Sequence, residues 1–396
     1  MIFLTWLIIA LTALLIAGVV YLWLLALVGC TSVRHPEKSE KTYRFLTIVP
    51  AYNEGEHLIP TLKSLAQIQS SHSNRVVVVA DNCTDNTAEI AAGHGVEVYE
   101  RHDLDRRGKG YAIEWIIEQV GLENSDFVLI VDADTIVDQN ILEVLAVTFE
   151  KGAAAVQTGY YFVPDKKASP LALLQYMASL VENRLFYEAR SRLGFHGLLR
   201  GTGMALRSKM LARLPWDSHS ITEDVDYAVK IILAGQQVAF TAATSVYSTA
   251  TVDYDQAATQ KKRWASGTFA LIADHFPALF LRGLAFRPKL IELAGALLLL
   301  SRPLMIYLAF VLMLLSLVLT KPLGWLLAGI NLAAMIALIV YLLLGAFLME
   351  DRSRALRAIA AAPAYGFWFI GVQLKSLLGL RKSSWERTER KSDADD

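Results

Sequence analysis

Asp132-Ala133-Asp134 follows directly on the apolar run Phe127 to Val131. A buried strand that delivers two carboxylates at its carboxyl end sets hard oxygen ligands at the mouth of an α/β sheet, where a divalent cation and a phosphorylated ligand are commonly held. Asp132 and Asp134 are therefore the candidate metal ligands.

Five further groups of residues have matching chemistry. Pro50-Ala51-Tyr52-Asn53-Glu54 and Asp81-Asn82-Cys83-Thr84-Asp85 each close an apolar run, so both can line one crevice with the acidic pair. Asp81 can accept the N–H of a pyrimidine ring and Tyr52 can stack on its face, although Asn and Asp at such places also simply form turns. Arg106-Arg107-Gly108-Lys109-Gly110 leads into a helix-like stretch. Backbone N–H groups, a helix amino terminus and the Lys109 ammonium suit a pyrophosphate, with a solvated charge run as the plain alternative. Thr222-Glu223-Asp224 precedes an apolar-periodic stretch through Leu233. Either Thr222 is an N-cap with acids in the first turn, or Asp224 is a general base aimed into the crevice. Gln260-Lys261-Lys262-Arg263-Trp264 adds an arginine and a tryptophan that can clamp a diphosphate and a sugar face.

The elements that must position these residues are legible as an alternation. Strands are expected at Phe45 to Val49, Val76 to Ala80, Val96 to Tyr99 and up to Asp132, with helices near Glu56 to Ala66, Asn86 to His94 and Tyr111 to Val120. Short apolar runs separated by amphipathic helices imply an α/β fold with a mostly parallel sheet and right-handed crossovers.

Residues 1 to 33 hold no charged side chain, and Ile2 to Gly29 is long enough at about 1.5 Å per residue to cross a bilayer core of about 30 Å. The segment lacks the basic start and short core of a secretory signal, so it reads as an uncleaved anchor. Leu304 to Thr320 and Leu323 to Met349 have the apolarity of spans, while Leu284 to Leu300 and Ile359 to Leu380 suit the membrane interface. Basic residues at Arg34 to Arg44, Arg352 to Arg357 and Arg381 to Lys391 place the α/β domain on the cytoplasmic side of a multi-pass inner-membrane protein. Two cysteines, Cys30 and Cys83, suggest no disulfide framework, and a formal net charge of zero gives no reason to expect nucleic acid.

In this order the motifs Pro50-Ala51-Tyr52-Asn53-Glu54, Asp81, Asp132-x-Asp134, Thr222-Glu223-Asp224 and Gln260-x-x-Arg263-Trp264 resemble the membrane-bound branch of the family 2 glycosyltransferases. That branch includes cellulose, chitin, hyaluronan and poly-N-acetylglucosamine synthases. The resemblance covers roughly residues 45–275 and implies a Rossmann-like GT-A domain flanked by transmembrane and interfacial helices. It also implies a UDP-sugar donor, Mg²⁺ or Mn²⁺ as cofactor, and a linkage formed with inversion. By resemblance, Pro50, Ala51, Tyr52, Glu54, Asp81 and Lys109 belong to the donor site, and Asp132 and Asp134 hold nucleotide and metal. Asp224 deprotonates the acceptor, with Glu223 beside it, and Gln260, Arg263 and Trp264 bind acceptor sugar and diphosphate. The tail Trp385-Glu386-Arg387-Thr388-Glu389-Arg390 resembles the cytosolic ending of some such synthases. Two places depart from the pattern: Ala80 stands where many members have a second Asp, and Gly201-Thr202-Gly203-Met204 matches the acceptor-floor loop only loosely.

The resulting organisation is a transmembrane helix at 1–33, a juxtamembrane linker at 34–44, the GT-A domain at 45–275, and interfacial helices, two spans and a basic tail at 276–396. The expected partners are a UDP-sugar, a glycan or lipid acceptor, the membrane, and an export partner or second copy. Growth of a β-linked polysaccharide is the leading expectation. Addition of one sugar to a ceramide-like or diacylglycerol acceptor is the second. A catalytically idle scaffold or sugar-nucleotide sensor fits poorly, because every acidic position is intact.

Overall fold

A computed structural model of the chain describes residues 2–31, 38–165, 168–220, 222–250, 254–285 and 287–378. In chain order its elements are α1 (Ile2–Gly29), β1 (Arg44–Ala51), α2 (Leu58–Ala66), β2 (Ser73–Asp81), α3 (Thr87–Gly93), β3 (Glu97–Arg101), α4 (Lys109–Val120), β4 (Phe127–Ile130), β5 (Thr135–Val137), α5 (Ile141–Glu150) and β6 (Ala155–Val163). There follow α6 (Pro170–Leu180), a π-helical stretch (Val181–Glu188), α7 (Ala189–Arg192), β7 (Met204–Arg207), α8 (Ser208–Arg213), α9 (Glu223–Leu233) and β8 (Val238–Thr249). The last five are α10 (Tyr254–Leu284), α11 (Pro288–Leu298), α12 (Arg302–Ser316), α13 (Leu323–Leu348) and α14 (Arg352–Leu378).

These elements divide between an α/β unit and a helical unit. In the α/β unit the strands form one eight-stranded sheet in the order β3-β2-β1-β4-β7-β6-β8-β5. β1 pairs in parallel with β2 and β4, β2 with β3, and β6 with β8. β7 runs antiparallel to both β4 and β6, and β5 antiparallel to β8, so the sheet is mixed beyond β4. All four residues of β4 are buried, which is why its sequence is a continuous apolar run and not an alternation. Val49, Val78 and Leu129 pack with Leu142, Leu145 and Phe149 of α5, and the rings of Phe127 and Phe149 stack at 4.0 Å.

The chain leaves β1 toward β2 and β3 and then returns to β4 on the other side of β1. Strand order therefore reverses between β1 and β4. Their carboxyl ends flank the crevice in which open α/β sheets hold ligands.

In the helical unit, α1 and α13 are long and apolar enough to cross a membrane. Each keeps large apolar side chains exposed, among them Phe3, Trp6 and Leu27 on α1 and Trp325, Ile336 and Phe347 on α13. Where they meet, Asn331 Nδ2 donates to Thr12 Oγ1 at 3.0 Å, a buried polar contact between otherwise apolar helices. The expected span Leu304 to Thr320 differs: α12 has 15 residues, about 22 Å at 1.5 Å per residue, and meets α11 at a 76° bend. Among the described residues, length and composition allow a third span only if that bent pair counts as one. Residues 168–192 and 254–275, expected within the α/β domain, group with the helices. Leu173 and Met177 of α6 bury their side chains among Ala346, Met349 and Ala358, which fixes that assignment. Linker residues 34–37 and the tail from Arg381 to Lys391, with Trp385 to Arg390, lie outside the described residues.

Candidate active site

The turn after β4 is held from three sides. The N–H of Asp132 donates to Thr202 Oγ1 at 3.0 Å, the N–H of Thr135 donates to the Asp132 carbonyl at 3.1 Å, and Thr61 Oγ1 donates to the Ala133 carbonyl at 2.7 Å. With its backbone fixed, the turn presents Asp132 and Asp134 at the end of the strand.

Lys109 opens α4, and its ammonium meets Asp132 Oδ1 and donates to the Gly201 carbonyl at 2.8 Å. Burial alone would push this ammonium down, but Asp132, Glu223 and Asp224 outweigh it and hold it above the ordinary lysine value. Gly201 has φ +81°, and a Cβ there would stand 3.4 Å from Asp224 Oδ2 and 3.5 Å from Lys109 Nζ. Asp224 and Lys109 thus face Gly201, and Lys109 links that position to Asp132.

Glu223 and Asp224 open α9, whose inward face carries Tyr227, Ala228, Val229, Ile231 and Ile232. The side chain of Thr222 makes no capping hydrogen bond, which weakens the reading of these residues as a mere helix start. Burial, and after it Asp224, push the Glu223 carboxyl well above the usual range, against the opposing charge of Lys109. Burial likewise raises Asp224, opposed by the Val225 N–H, which donates to Asp224 Oδ1 at 2.8 Å, and by Lys109.

The loops after β1 and β2 lock together on the same side of the sheet. The Asn53 N–H donates to Cys83 Sγ at 3.3 Å, the Thr84 N–H to Asn53 Oδ1 at 2.7 Å, and the N–H groups of Glu54 and Gly55 to Thr87 Oγ1 at 2.9 Å. Asn53 and Asn82 take positive φ, 51° and 54°, an uncommon conformation that these interlocked loops maintain. Asp81 ends β2 as a buried group, and its Oδ1 accepts from Arg101 at 2.6 Å and from Asn82 at 2.9 Å. Burial raises the Asp81 carboxyl, with Arg101 pulling the other way. Pro50, Ala51, Tyr52 and Glu54 lie on β1 and the loop that follows it, as expected. Gln260, Arg263 and Trp264 lie along α10, and their side chains fall outside the described residues.

Residues 43–267, more than half of the chain, match the model of glycosyltransferase like family 2. The chain is a family 2 glycosyltransferase. Glycosyltransferase GlyG of Streptococcus pneumoniae is 27% identical over 119 residues, which are 30% of this chain and 39% of that protein. The poly-beta-1,6-N-acetyl-D-glucosamine synthase of Staphylococcus aureus is 24% identical over 243 residues, 59% of this chain and 56% of that enzyme. The chain therefore spans between about two fifths and just over half of the length of these curated relatives. Among solved structures, a mannosyltransferase from Pyrobaculum calidifontis, determined with GDP-Man and Mn2+, shares the fold with a TM-score of 0.60. It is 20% identical, and the alignment covers 95% of this chain and 99% of that one.

For a glycosyltransferase of this fold the donor set fits a divalent cation. Asp132 and Asp134 are hard oxygen donors, and among the described residues no group of three or more acidic, His or Cys side chains forms a closed metal cage. Mg²⁺ and Mn²⁺ sites of this kind use one or two carboxylates and take their remaining ligands from substrate phosphates and water.

Several residues of this glycosyltransferase site were not singled out by the sequence. Arg101 holds Asp81. Buried Gln157 accepts the Arg200 N–H at 2.7 Å and donates to the Thr202 carbonyl at 2.9 Å, fixing the loop through Gly201. The Arg200 guanidinium lies 5.4 Å from the Tyr160 ring centre. Burial, then Asp134 and Asp132, push the Tyr160 phenol up, which sets Tyr160 beside the acidic pair. The paired glycines Gly201 and Gly203, with φ +81° and +63°, were the available signal for this loop.

Proposed function

We propose that the chain transfers a sugar from a UDP-sugar, with inversion, to a membrane-associated acceptor, the acceptor being a growing β-linked polysaccharide. The observation that carries this reading is that Asp224 and Lys109 both face Gly201, a residue without a side chain, while Lys109 also meets Asp132. This sets the proposed base beside the group that contacts the candidate metal ligand, an arrangement suited to an acceptor hydroxyl attacking a bound donor.

In this mechanism the Asp224 carboxylate takes the proton of the acceptor hydroxyl as its oxygen attacks the anomeric carbon. The bond from that carbon to the diphosphate oxygen breaks on the opposite face, and the nucleoside diphosphate leaves with the electron pair. Asp132 and Asp134 would hold the cation, which when bound neutralises charge growing on the leaving diphosphate. Inversion needs one base and no covalent intermediate, so Asp224 suffices. Asp81 and Tyr52 line the nucleotide side. Gln260, Arg263 and Trp264 are assigned to acceptor and diphosphate by their motif.

The apolar helices α1 and α13 support a location in the cell membrane, and the basic segments favour a cytoplasmic α/β unit. The named activity of the Staphylococcus aureus relative supports a polymer product. One observation favours the glycolipid reading instead: among the described residues two candidate spans, or three with the bent pair, are few for a chain that exports its own polymer. Incubation of the detergent-purified protein with radiolabelled nucleotide sugars and membrane lipids, followed by sizing of products, separates the two. A ladder of polymer supports the first reading, and a single-sugar lipid at every donor concentration rejects it for the second.

A further inference from the structure

The amino terminus of a helix disfavours a cation, because the unpaired N–H groups give that end a partial positive charge. Lys109 is nevertheless the first residue of α4, and no acidic residue occupies that first turn. Its position is explained by what lies across the crevice: the ammonium meets Asp132 Oδ1 and donates to the Gly201 carbonyl, and its side chain is only 23% exposed. The ammonium has three N–H groups and these two contacts use two of them. Asp132 is also a carboxylate that the proposed cation requires. The single carboxylate charge of Asp132 therefore faces two competing positive charges, one covalently tethered and one from solution.

We infer that Lys109 is an exchangeable counter-ion of the donor site: it neutralises Asp132 while the site holds no donor, and moves to the donor diphosphate when the cation takes Asp132. This rests on the proposed metal-binding role of Asp132 and Asp134. Cation alone must displace Lys109 and strand its charge, whereas cation and diphosphate together supply a partner for every group. The two ligands are thus coupled, each strengthening the other by the same factor.

The test is binding of Mn²⁺ alone, without nucleotide, to the full-length protein in detergent, read from the electron paramagnetic resonance signal of free Mn²⁺. Lys109→Met keeps the apolar stem and removes the charge, and it is expected to bind Mn²⁺ roughly tenfold more tightly than wild type, within the usual range of coupling between sites. Lys109→Gln, which can still donate to the Gly201 carbonyl, should behave the same way if the methionine variant melts early, and Lys109→Arg should stay near wild type. Equal or weaker Mn²⁺ binding by both neutral variants overturns the inference. Asp134→Ala separates this failure from failure of the site itself. Loss of Mn²⁺ binding in that variant supports the metal site, and unchanged binding removes the site together with the exchange built on it.

Discussion

Arg101 and Asp81 form a buried ion pair at 2.6 Å, with side chains 4% and 8% exposed, at the paired ends of β3 and β2. The same guanidinium donates to the Arg106 carbonyl at 2.8 Å, in the loop that leads to Lys109. One arginine therefore ties Asp81 at the end of β2 to the loop that leads to α4.

Arg101→Met leaves the Asp81 carboxylate buried without its charge partner. A loss of about 3–5 kcal/mol is expected at neutral pH, the usual cost of breaking a buried pair from one side. The deficit should shrink in acid, where Asp81 takes up a proton and no longer needs the partner. Thermal melts of both proteins across pH measure it, and a deficit that does not depend on pH would assign Arg101 a packing role only.

Glu223→Gln is expected to raise Tm at pH 8 in the presence of a chelator. The folded-state value of Glu223 is raised by burial and then by Asp224, so its favourable contribution is complete below the unfolded value and is lost as pH rises through the folded one. At pH 8 the wild type carries that unfavourable charge and the glutamine variant does not. The two melting curves should converge at low pH. A variant no more stable than wild type at pH 8 contradicts this electrostatic picture.

The same sign governs catalysis. Asp224 must be ionised to accept a proton, and burial raises it above the ordinary aspartate range. The acid limb of kcat/KM should therefore fall at a pH above that expected of an exposed aspartate. A limb at the ordinary aspartate value would mean that Asp224 is solvated in the working enzyme.

Gly201→Ala tests the open position over the loop. The residue sits at φ +81°, where a side chain costs roughly 1–2 kcal/mol, and the new methyl carbon would stand 3.4 Å from Asp224 Oδ2. A modest drop in Tm with a much larger drop in transfer rate is expected. Equal losses in both would mean that the glycine serves the backbone alone.

The sequence showed the parallel half of the sheet well, because β1, β2 and β4 are buried on both faces and their apolar runs stop where the acids begin. The placement of Asp132 after a buried strand, and of Glu223 and Asp224 at the start of a helix, was legible too. Arg101, Gln157 and Tyr160 were not, since their meaning comes from partners such as Asp81 and Thr202 that lie far along the chain. β7 escaped because its four residues pair antiparallel between β4 and β6, a choice made by tertiary packing and not by local pattern. The break between α11 and α12 was legible as the boundary between the apolar segments ending at Leu300 and starting at Leu304, but the 76° bend was not, since nothing in Ser301 and Arg302 sets an angle.

In the proposed mechanism Asp224 takes the acceptor proton. The most direct test is the rate of sugar transfer by Asp224→Asn at saturating donor, with donor binding measured on the same preparation. The amide keeps the shape of the carboxylate but cannot accept the proton, so binding should persist while transfer falls by about 10² to 10⁴. Transfer at the wild-type rate by a variant that still binds donor would contradict it.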